Sequence, residues 1–145
     1  MAEPSTRARR LPWILVGVAV AFNLWTLRAE LLNVWYLNDA GIHQSMVRWA
    51  AMRIREGHLP FDGWYPYLSL GASRFHHYQS LPHILTGALS TLAGPGTFRW
   101  SLYLLLCTWP IAVYCGGRLF DLEPWAAGVS STTGSIYLGV VQKAR

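Results

Sequence analysis

The sequence predicts an all-α fold, a polytopic transmembrane helical protein of about four spans whose extracytoplasmic first loop carries an interfacial amphipathic helix. Three observations predict it. Hydrophobic residues make up 52% of the 145-residue chain and charged residues only 13%, against roughly 25% charged in an average soluble domain. The apolar residues gather into runs set apart by charged or Gly/Pro-rich stretches. The chain also holds eight Trp and seven Tyr, whose amphipathic rings settle at membrane–water boundaries. The net charge of +5 does not turn this towards nucleic acid, because apolar runs separate the basic residues instead of ranging them along one face.

Residues 1–10 form a basic N-terminus with Arg7, Arg9 and Arg10 close together. The first span, 11–33, opens with "LPWILVGVAVAFNLWTL", which has no charge and a single amide, Asn23. That run is near the lower limit for crossing ~30 Å of hydrocarbon. It extends into "RAELLNVWY", with Trp25, Trp35 and Tyr36 as outer anchors. The basic flank and Ala19-Val20-Ala21 also fit a signal peptide and its cleavage site. The apolar stretch continues past that point to Leu27, so the expectation is an uncleaved anchor.

The loop over 34–79 is too long for a simple connection. Its helix, 39–56, begins at Asn38 or Asp39 as a side-chain cap and ends at Gly57. Ile42, Met46, Trp49, Ala50 and Ile54 recur at helical spacing, with Arg48, Arg53 and Arg55 mostly elsewhere. Flanked by Trp35, Trp64 and Tyr65, this amphipathic helix is expected along the outer membrane surface. An irregular "HLPFDGWYPYLSLGAS" follows, and "RFHHYQ" leads to the second span, 80–94. Pro82 suits its first turn. The run is short, so a re-entrant or interfacial helix is the alternative.

"GPG" at 94–96 predicts a turn. The third span, 98–120, is the strongest of the four and is kinked at Pro110. The fourth, 125–141, is weakly apolar. Its consecutive Ser130, Ser131, Thr132 and Thr133 suit contact with other helices better than contact with lipid, and some of those helices are expected from a longer or split protein. Cys107 and Cys115 share a helix face but lie ~12 Å apart, too far for a disulfide. The arginines flanking the spans place the N-terminus in the cytoplasm.

Polar residues able to do chemistry cluster in the first loop. Asp39 and His43 are four apart and face the same way. Asp62, Arg74, His76 and His77 come later. A carboxylate beside imidazoles acts as a general base or holds a divalent metal. The plainer readings stay open: Asp39 as a helix cap, the three histidines as boundary residues, and Arg48, Arg53 and Arg55 as a solvated face or lipid-phosphate contacts.

The order of these residues resembles a known family. Asp39 and His43 follow a membrane helix, and an amphipathic helix ends in "EGHLPF". Then come Trp64, Pro66 and Gly71, and Phe75, Tyr78 and Leu81 open the next membrane helix. With Gly57 and Pro60, these residues resemble the N-terminus of bacterial GT-C superfamily membrane glycosyltransferases. The resemblance is to the branch called the pyruvoyl-tetrahydropterin-synthase-related membrane domain, a label that implies no pterin chemistry. It covers roughly residues 11 to 125.

The resemblance implies sugar transfer from a polyprenyl-phosphate donor on the extracytoplasmic side of a bacterial cytoplasmic membrane. It implies Asp39 and His43 as catalytic residues, and Arg48, Arg74, His76, His77 and Tyr78 as the substrate-binding set. Members of that superfamily are several times longer and carry many more spans. The expectation is therefore the N-terminal part of such an enzyme, or an inactive fragment of one. The alternative is a small non-catalytic polytopic membrane protein that binds a partner or lipid. Transport is disfavoured, because the apolar runs contain almost no charge.

Overall fold

The computed structural model describes residues 6–32, 39–67, 70–77 and 80–143. The elements are α1 (Thr6–Thr26) with a 3₁₀ turn Leu27–Leu31, α2 (Ala40–Arg55), a 3₁₀ turn Pro60–Asp62, α3 (Arg74–His77), α4 (Ser80–Ala93), α5 (Thr97–Leu119) and α6 (Pro124–Lys143). The fold is all-helical, and among the described residues the one extended pairing is a bridge between Tyr65 and Ala72.

Two stretches, Arg10–Leu31 and Thr97–Leu119, are long and apolar enough to cross a membrane. Only 22% of each apolar window is buried, whereas a core helix of a soluble protein would be mostly covered. By contrast α4, with 14 residues, rises about 21 Å, short of ~30 Å of hydrocarbon.

The chain divides into two units, Met1–Leu32 with Leu102–Arg145, and Asn33–Ser101. In the first, small residues bring helices together. Gly128 of α6 lies against Pro12 of α1, where a Cβ would come within 3.2 Å of the proline Cα. Ala127, Ser131 and Ser135, spaced four apart, form the buried stripe of α6. The two serine hydroxyls donate to carbonyls of their own helix, Gly128 O at 2.7 Å and Ser131 O at 3.1 Å, so their burial leaves no donor unpaired. Val16, Tyr114 and Ala127 complete this cluster.

Helices α1 and α5 run antiparallel, with Trp13 against Tyr114 at one end and Leu27 against Tyr103 and Cys107 at the other. Pro110 lacks the N–H that would bond the Leu106 carbonyl four residues back. Asn23 of α1 supplies the donor instead, Nδ2 to Leu106 O at 3.1 Å. The Tyr103 hydroxyl returns the link by donating to Leu24 O at 2.8 Å. Helix α5 ends in a Schellman motif with Leu122 N–H to Gly117 O and Asp121 N–H to Arg118 O. Asp121 holds the left-handed position at φ 57°.

In the second unit the long connection folds back onto α2. A second Schellman motif stops α2, with Gly57 at φ 77° and His58 N–H donating to Arg53 O at 2.9 Å. Tyr65 and Ala72 exchange both backbone bonds, and Gly71 turns the chain at φ 87° beneath the Trp64 ring, where a Cβ would clash. The result seats Tyr65 and Phe75 on Met46, Trp49 and Ala50 of α2. The Trp49 ring meets Phe75 at 4.8 Å and the edge of Tyr65 at 5.8 Å. Burying each such ring contributes roughly 1.5–3 kcal/mol. The connection also lets α4 run in the same direction as α2. His83 faces His43, Gly87 faces Ala50, and the Ser90 carbonyl accepts from Arg55 Nη2 at 3.3 Å.

The apolar face of α2, expected to meet lipid, is therefore covered by the chain's own Tyr65, Phe75 and Ile84. Gly87 explains why α4 competes so well for it. Its missing side chain lets the helices approach until a Cβ there would lie 2.8 Å from that of Ala50. The leucines that α4 leaves exposed are Leu81, Leu85, Leu89 and Leu92, spaced to share the face opposite α2.

Candidate functional site

The start of α2 brings together the residues best equipped for chemistry. Asp39 occupies the N-cap position, and its carbonyl accepts the His43 N–H at 3.0 Å. Its side chain makes no capping bond, contrary to the cap expected from the sequence. The reason is conformational: Asp39 already has helical angles, φ −57° and ψ −12°, whereas a capping side chain reaches back from the extended region. Asn38, the other cap candidate, lies outside the described residues.

His43, half-buried, meets His83 of α4, with Nδ1 and Nε2 2.9 Å apart. The ring centres are 5.1 Å apart and the planes differ by 21°. That separation is close to the N···N distance plus the two ring radii. The rings therefore meet edge to edge along the line of their nitrogens, near one plane, and not face on face. This is the geometry of an N–H···N hydrogen bond. His83 is 7% exposed and sits edge-on to Phe75 at 6.5 Å. Two residues along α2, Ser45 donates to Ile42 O at 2.8 Å and is also bonded to the Tyr65 hydroxyl.

Among the described residues, the other predicted side chains do not join this pair. Arg48 is exposed and lies about 140° around the helix from His43. Arg53 ion-pairs with Glu56 at 3.3 Å and lies 6.0 Å from the Trp49 ring centre. His76 is exposed, with Phe61 beside its ring at 6.4 Å. The side chains of Asp62, Arg74 and His77, and all of Tyr78, lie outside the described residues.

No three His, Cys, Asp or Glu side chains converge among the described residues. The facing nitrogens of His43 and His83 also point at each other, which leaves no shared apex for an ion.

Sequence reasoning missed His83. The signal was present, since it is the one ionisable residue of "SLPHILTGALSTLAG", and such a residue in an apolar run is a functional candidate by default. No family model, curated protein or solved structure matches the chain.

Proposed function

We propose that the chain is the N-terminal part of a GT-C-like membrane glycosyltransferase, with its N-terminus in the cytoplasm of a bacterial cell. In this reading α1, α5 and α6 are membrane helices, the shorter α4 is the re-entrant or interfacial helix packed along α2, and the start of α2 lies on the extracytoplasmic side. The donor is a polyprenyl-phosphate sugar. An acceptor hydroxyl attacks the anomeric carbon, the bond from that carbon to the phosphate oxygen breaks, and the polyprenyl phosphate leaves with the electron pair. Asp39 and His43 are the groups to take the hydroxyl proton. Arg48, Arg74, His76, His77 and Tyr78 are assigned to donor and acceptor binding, and the outward leucines of α4 to the isoprenoid and lipid.

The observation that carries this reading is that the Asp39 carboxylate makes no cap bond to its helix and stands one turn from an imidazole. Its test is Asp39→Asn in the intact protein with a polyprenyl-phosphate sugar donor. Transfer is expected to fall by about 100-fold or more. A helical, folded variant that transfers at the wild-type rate removes Asp39 from the chemistry. Reporter fusions after Pro66 and at the C-terminus test the topology, and a cytoplasmic signal at Pro66 overturns it.

One observation favours the second reading, a non-catalytic polytopic protein that binds a partner or lipid. Arg53 is engaged by Glu56 and Arg55 by the Ser90 carbonyl, so these cations already serve the fold.

A further inference from the structure

The α2–α4 seam sets against His43 a polar partner, His83, that the reading of Asp39 and His43 leaves unused. We infer that His83 is a positioning residue that sets the tautomer of His43, holding the proton on His43 Nδ1 and leaving Nε2 as its basic nitrogen. This rests on the reading of His43 as a proton-accepting group.

The geometry carries the pairing, and the reading of His43 as a base selects its direction. A neutral imidazole has one N–H and one bare nitrogen. The in-line contact between His43 Nδ1 and His83 Nε2 at 2.9 Å therefore places one proton between the rings. If His83 accepts it, His43 Nε2 is bare and can take a proton from a substrate hydroxyl. If His83 donates it, His43 Nε2 carries its own proton and cannot. His83 is itself fixed. It is buried on the α4 face that also presents Gly87 and Ser90 to α2, and Phe75 stands against its ring. A histidine that holds its partner's inner nitrogen is the same device that orients a ligating or catalytic imidazole through its far ring atom.

The test uses the full chain, labelled with ¹⁵N in the histidine rings and solubilised in detergent micelles. Ring ¹⁵N shifts are expected to show His43 protonated at Nδ1 and bare at Nε2, with a scalar coupling across the bond to His83 Nε2. His83→Phe, which keeps a ring but has no acceptor, is expected to lose both the coupling and the Nδ1–H form. His83→Gln, whose amide carbonyl accepts, is expected to restore the Nδ1–H form. A wild-type His43 protonated at Nε2, or a His83→Phe chain with an unchanged His43 tautomer, overturns the inference. None of these readouts needs sugar transfer. An intact protein that transfers nothing while His43 stays protonated at Nδ1 counts against the glycosyltransferase reading and leaves the role of His83 standing.

Discussion

The two units solve opposite packing problems. In the first, apolar side chains such as Ile14, Val18, Phe22, Leu105, Trp109 and Ile136 face outward, while Asn23, Ser131 and Ser135 are buried. In the second, Met46, Trp49, Tyr65 and Phe75 are inside and Arg48, Glu56 and His58 are outside. An apolar exterior gains nothing from water exclusion when lipid surrounds it, so the first unit is joined by close backbone approach and cross-helix hydrogen bonds. The aromatic interior of the second is held as a soluble core is. In the second unit the leucines of α4 still face outward, so the contrast is between the first unit and α2 with the connection that covers it.

Changes that swap these strategies should break the contrast, and the largest effect is expected at Gly87. Gly87→Leu forces a side chain into the Ala50 contact and should cost about 3 kcal/mol of the α2–α4 packing. The check is a lower thermal midpoint in detergent with exposure of the Trp49 region in fluorescence. A variant as stable as wild type removes the close approach as the basis of the seam.

An intermediate effect is expected at Asn23 in the first unit. Asn23→Leu strands the Leu106 carbonyl and should cost about 1 kcal/mol. Adding Pro110→Ala returns an N–H to that carbonyl, so the double variant should recover most of the loss in a thermal double-mutant cycle. Additive effects would dissociate the amide from the proline.

The smallest change sharpens the helix ends. Asp121→Gly relieves a left-handed aspartate and should stabilise by about 1 kcal/mol. Gly57→Ala at the matching position of α2 should destabilise, and chemical denaturation of the two variants compares them.

The apolar runs made the long helices α1 and α5 legible, and the i, i+3, i+4 spacing of Ile42, Met46 and Trp49 made α2 legible. Gly57 announced its own role, because a glycine after a periodic segment is where a helix can turn left-handed. What covers α2 was not legible. Its amphipathic pattern says that one face is buried but not whether lipid or Tyr65 and Phe75 bury it. Several residues that carry the family resemblance have structural work: Gly57 and Gly71 turn the chain, Trp64 lies over Gly71, and Phe75 fills the core. Asp39 is exposed and makes no cap bond, while His43 is half-buried against His83. The pairing of Asp39 with His43 was readable at four-residue spacing, but His83 enters from forty residues away, a distance that no local periodicity reports.

Asn23 has a consequence for how the chain is made. Its partner carbonyl belongs to a helix synthesised some eighty residues later. Until α5 exists, the Asn23 amide N–H has no such acceptor. The defect that Pro110 makes in α5 thus becomes the feature that marks where α1 docks.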